Sequence, residues 1–98
     1  MTLHSIRFSR QSLADIDEIA EYIARDSPFY ADKVVDDLYA RVQILLTHPE
    51  TGRVVPEIGN PAIREIFEHS WRIMYTTEFS PVVLILRFIH FSQDFRGL

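Results

Sequence analysis

Val82-Val83-Leu84-Ile85-Leu86-Arg87-Phe88-Ile89 carries a single charge and has apolar residues at both alternating sets of positions. A strand that is apolar on both faces belongs inside a sheet rather than at its border. Its neighbours supply the rest of that sheet. Upstream, Trp71, Ile73 and Tyr75 alternate with Arg72, Met74 and Thr76, and Glu78-Phe79-Ser80-Pro81 is short enough to join the two runs as a hairpin. Ala62 to Glu68 alternates weakly and is separated from Trp71 by His69-Ser70, a second hairpin turn. Near the N-terminus, Leu3 to Phe8 places His4, Ile6 and Phe8 opposite Ser5 and Arg7, the pattern of one more short strand.

Between the first strand and the others lie two helical stripes. Leu13, Ile16, Ile19, Ala20 and Ile23 recur at three-to-four spacing after Ser9, a hydroxyl suited to N-capping, and Asp26-Ser27-Pro28 ends the run. Asp15, Asp17, Glu18 and Glu21 are expected on the outer face of this helix. Ala31, Val34, Val35, Leu38, Val42, Leu45 and Leu46 form the second stripe, which stops near His48-Pro49. Thr47 to Pro61 holds three prolines and two glycines, too many breakers for a helix or a long strand. The expected order is therefore β-α-α-β-β-β. This is an α+β domain spanning residues 1–98, with a helical hairpin on one face of a small, mostly antiparallel sheet and the other face partly open.

Composition excludes several functional classes. Apolar residues make up 47% of the 98, which is incompatible with a disordered chain. There is no cysteine, so thiolate chemistry and disulfides are out. The longest apolar run, Val82 to Leu86, is far short of the roughly 20 residues a bilayer needs. The opening Met1-Thr2-Leu3-His4 lacks a basic start and an apolar signal core, so a cytoplasmic protein is expected. His4, His48, His69 and His90 show no metal-ligand spacing, and three scattered glycines make no phosphate loop, so no metal or cofactor is expected. The net charge is −4, with the excess of acids confined to residues 1–50 and the second half neutral but rich in arginine. Direct sequence-specific DNA binding is not expected from such a balance.

Four segments in register resemble one known family. Asp15-Ile16-Asp17-Glu18-Ile19-Ala20-Glu21-Tyr22 resembles the first helix of ParE/RelE-type toxins, and His48-Pro49-Glu50-Thr51-Gly52-Arg53-Val54-Val55-Pro56-Glu57 resembles their HPxxGRxVPE loop. Trp71-Arg72-Ile73-Met74-Tyr75 is similar to the family's YRIIY strand, and Leu86-Arg87-Phe88-Ile89-His90 to its closing LRVLH strand. The resemblance implies a toxin of a type II toxin–antitoxin, plasmid-stabilisation system that is held inactive by a cognate antitoxin. ParE-like members are associated with poisoning DNA gyrase, and RelE-like members with ribosome-dependent cleavage of mRNA. The loop and the LRxxH ending are more similar to the ParE side. A net charge of −4 with one lysine also suits a protein target better than a field of ribosomal phosphate. A third reading is a binding module without toxicity.

Under the nuclease alternative the resemblance makes Glu57 the base, Arg72 the phosphate clamp and His90 the acid. Phe91 stands where that branch carries an aromatic hydroxyl, leaving the role vacant unless Tyr75 reaches in. Glu57 reads more simply as a solvated loop acid, and His90 as a hydrogen-bonded strand end. Arg64, Arg72 and Arg87 are candidate partner-binding residues on the open sheet face, with Arg87 alternatively paired to Glu65. Tyr22, Phe29, Tyr30 and Tyr39 lie off or at the margin of the stripes, suited either to partner contacts or to packing within the hairpin.

Overall fold

The computed structural model describes residues 3–98; Met1 and Thr2, part of the opening stretch considered above, lie outside the described residues. The elements are β1 (Ser5–Phe8), α1 (Arg10–Ala24), α2 (Pro28–Val42), a 3-10 turn (Gln43–Leu46), β2 (Arg53–Val54), β3 (Ile63–Glu68), β4 (Trp71–Phe79) and β5 (Val82–His90). Ser9 caps α1 by accepting the Ser12 N–H at 3.0 Å. Ser27 caps α2 through the Tyr30 N–H at 3.1 Å, with Pro28 in the first turn, where its missing donor is harmless.

The five strands are ordered β1-β5-β4-β3-β2, with β1 parallel to β5 and every other pair antiparallel. The α+β architecture expected from the sequence is the one observed, and β5 is flanked on both sides. The two-residue β2 adds an edge that the breaker-rich loop did not announce. Both helices lie on one face, where Val34, Leu38, Val42 and Leu45 bury fully against Ile73, Tyr75, Val83 and Ile85. Each large side chain buried this way contributes about 1.5–3 kcal/mol, making this cluster the main stabilising term.

Register decides which residues share a face. Met74 pairs with Arg87 while Tyr75 pairs with Ile85, so Leu86 is an extra residue, a β-bulge. The bulge lets Ile85 and Phe88, three apart, both face the helices, and turns Leu86 towards the second face. That second face is not bare. Val55, Met74 and Ile89 form a small buried cluster roofed by Ile58, Ile63 and Phe95. The expectation of an open face is thus corrected. The loop after β2 and the C-terminal segment both fold back over it, because Met74 and Ile89 offer apolar area that only those segments can cover.

Candidate functional site

The His48–Glu57 loop is tied down by three hydrogen bonds with two side chains. The buried Tyr75 hydroxyl donates to the Pro49 carbonyl at 2.8 Å and accepts the Gly52 N–H at 2.9 Å. Arg64 Nη1 donates to the Gly52 carbonyl at 3.0 Å. Gly52 has no room for anything larger, since a Cβ there would sit 2.6 Å from both the Glu65 carbonyl and the Tyr75 hydroxyl. Burial pushes the Tyr75 phenol up, so it remains a neutral donor. Tyr75 is therefore a latch on the helix-covered side and supplies no hydroxyl to Glu57 and Arg72, which lie across the sheet.

On that second face a chain of charges runs from Glu57 to Arg53. Arg72 Nη1 and Nη2 donate to both Glu57 oxygens at 2.8 and 2.7 Å, and Arg72 Nε donates to Glu65 Oε1 at 2.7 Å. The other Glu65 oxygen accepts from Arg53 Nε at 2.8 Å. The Glu65 carboxylate is completely buried, so two guanidinium groups are what make its charge tolerable. Phe95 closes over the Arg72 guanidinium at 5.5 Å, and Phe67 lies under that of Arg53 at 5.2 Å. Arg72 is 8% exposed, not a free cation on an open face. The pair of hydrogen bonds from Arg72 holds Glu57 down from its ordinary 4.5 to about 2, and the Glu57 carboxylate in turn raises Arg72.

Arg87 also differs from expectation. Its partner is Asp15 of α1, reached by Nε at 2.8 Å and Nη2 at 3.2 Å, rather than Glu65, which is taken by Arg72 and Arg53. The same Asp15 carboxylate accepts the Phe88 N–H at 2.9 Å. Asp15 is thus buried, not outward-facing, because β1 stops at Phe8 and a side chain must satisfy the backbone of β5 beyond that point. The hydrogen bonds to Asp15 raise Arg87.

The expected common arginine surface is not formed. Arg64 pairs across the strands with Tyr75 and so starts from the helix face, whereas Arg72 and Arg87 start from the other. Their guanidinium groups then diverge to Gly52, to Glu57 and Glu65, and to Asp15. The nuclease candidates are divided as well. Glu57 and Arg72 are joined on the second face, but His90 pairs with Trp71 and packs edge-on against it at 5.2 Å, on the helix side. His90 Nδ1 accepts the Ser92 N–H at 3.0 Å, which leaves Nε2 to carry the proton of the neutral ring.

Histidine spacing also hid one juxtaposition, since Asp37, Glu68 and His69 place ligand atoms within 4.8 Å of one another. Lys33 at 2.9 Å and His69 at 2.7 Å already share one Asp37 oxygen and hold that carboxyl below its usual range.

Sequence reasoning missed Asp15, Gly52 and Tyr75 as organising residues and misassigned the partner of Glu65. A signal existed for Glu65. Strand alternation puts residues 65 and 72 on one face of a two-residue hairpin, within reach of each other.

The helical hairpin on a five-stranded mixed sheet, with its tethered loop and charged second face, defines a small α+β fold. The family described as "ParE toxin of type II toxin-antitoxin system, parDE" matches residues 6–95, so the chain belongs to the ParE toxin family. A solved chain of the chromosomal ParDE toxin–antitoxin system from P. aeruginosa is similar over 90% of this chain and 96% of that one. Its TM-score is 0.73 and its identity 23%. A chain of the toxin–antitoxin complex RelBE2 from Mycobacterium tuberculosis is similar over 91% and 99%, with a TM-score of 0.60 and 17% identity. No curated protein matches in sequence. Among the described residues no helix is long and apolar enough to cross a membrane.

Proposed function

We propose that this chain acts in the cytoplasm by binding rather than by cutting RNA, that DNA gyrase is its target, and that a cognate antitoxin neutralises it. The supporting observation is the state of Glu57, Arg72 and His90. Cleavage through a 2′-hydroxyl needs a base able to take a proton, a cation free to meet phosphate, and an acid beside both. Glu57 is held at about 2, far below the range of an effective base at neutral pH. Arg72 is neutralised by two carboxylates, and His90 lies across the sheet. Membership of the ParE family supports the gyrase target, as does the acidic balance of the chain, which gives no electrostatic drive towards ribosomal RNA.

In this reading Arg64, Arg72 and Arg87 serve a partner indirectly, by fixing the loop, the second face and the edge of β5. Expression of the Glu57→Gln and His90→Ala variants tests the proposal, because both substitutions lie at exposed or half-exposed groups and spare the core. Growth arrest by both supports a binding toxin. Arrest lost in both, with the variants folded and codon-dependent mRNA cuts seen only in the parent, overturns it in favour of the nuclease.

A further inference from the structure

Where β1 ends, the exposed flank of α1 and the last residues of β5 enclose a groove of about 630 Å3. Its walls are aromatic and acidic. Trp71 and His90 stand edge-to-face at its floor, and Tyr22 projects from α1 with 70% of its surface exposed. Glu18 and Glu21 lie on the same exposed flank and make no direct salt bridge among the described residues, although Glu18 is near enough to Arg87 to help raise it. Of the two guanidinium groups that also line the groove, Arg87 is committed to Asp15, and Arg25 lies one helical turn beyond Glu21 at its end. Three carboxylates therefore face two guanidinium groups, and Glu18 and Glu21 meet solvent in a groove that Tyr22 and Trp71 also line.

We propose that this groove receives a cationic side chain, arginine above all, presented by a protein partner. A guanidinium stacks on indole and phenol faces while donating to carboxylates, so one residue type satisfies both features of the site. A purely apolar partner would strip water from Glu18 and Glu21 without replacing its hydrogen bonds, and an acidic one would add like charge. If the function proposed above is right, the antitoxin is the partner that carries this side chain. The chemistry of the groove does not depend on that identity.

Trp71 is the sole tryptophan of the chain and lines the groove while packing on the core, so its emission is a single-site signal at the groove. The probe is an end-blocked tri-arginine peptide, titrated into the intact protein at low ionic strength beside a tri-glutamate control. A saturable change with tri-arginine, none with tri-glutamate, and at least a fivefold loss of affinity in Glu18→Gln/Glu21→Gln are expected. Both glutamates are exposed and make no ion pair, so the double variant retains the fold, and its far-UV spectrum verifies this. An equal response to tri-glutamate, or unchanged affinity in the folded double variant, overturns the proposal. Failure of every co-expressed antitoxin to neutralise the chain would sink the preceding section's reading and leave this titration unaffected, because no antitoxin enters it.

Discussion

Replacing Arg72 by leucine removes the guanidinium that joins Glu57 to Glu65 on the second face. Glu65, with its side chain fully buried, keeps only Arg53 as an ion-pair partner, and Glu57 loses both hydrogen bonds that Arg72 donates. Deleting one member of a buried ion pair costs about 3–5 kcal/mol, mostly the cost of leaving the other charge unpaired. Because Arg53 remains at 2.8 Å from Glu65, the low end applies, about 3 kcal/mol. Domains of this size hold roughly 5–15 kcal/mol in all and lose about 4–8 °C of melting temperature per kcal/mol, so a fall of roughly 12–24 °C is expected. Thermal melting followed by circular dichroism measures it. The double variant Glu65→Met/Arg72→Leu leaves no buried charge in that position and melts higher than the single one. A single variant within about 3 °C of the parent, or a double variant no better than the single, refutes the assignment of Arg72 as a buried structural cation.

Other perturbations read other parts of the same architecture. Gly52→Ala places a methyl group 2.6 Å from the Glu65 carbonyl and destabilises by about 1–3 kcal/mol, seen as a lower urea midpoint. Tyr75→Phe strands the Gly52 N–H and the Pro49 carbonyl and costs about 1–3 kcal/mol by the same assay. Glu57 is lower in the folded chain than its ordinary 4.5, so its stabilising share is present above that pH and is lost as pH falls towards about 2. Acid titration of Glu57→Gln should therefore show a shallower decline in that window than the parent.

The helices were legible because their information is local. Ser9 caps, Pro28 breaks, and Val34, Leu38 and Val42 recur on one stripe, whatever the rest of the chain does. The strands other than the two-residue β2 were legible for the same reason. The site was much less so, because charge burial is set by partners far away in the sequence. Asp15 looks like an ordinary surface acid until Arg87 and the Phe88 N–H, 72 and 73 residues on, arrive beside it. Read strand by strand, Arg64 and Arg72 look like members of one surface; carrying the alternation through the His69-Ser70 turn sets them on opposite faces, as the β3–β4 register shows. The bulge at Leu86 likewise breaks the alternation that a reader of β5 would extend from Ile85 to Arg87. The HPxxGRxVPE motif, which invites a catalytic interpretation of Glu57, is accounted for here by packing. Gly52 allows the close approach, Val55 enters the small cluster, and Glu57 clamps Arg72.

A supercoiling reaction with purified gyrase, relaxed plasmid and increasing amounts of this protein bears most directly on whether it works by occupying an enzyme rather than being one. Binding-mode action predicts loss of supercoiling at micromolar protein, restored when the cognate antitoxin is added, while RNA incubated with ribosomes stays intact. Undiminished supercoiling, from a preparation whose expression still halts growth and whose ribosomal reactions yield cut mRNA, would contradict it.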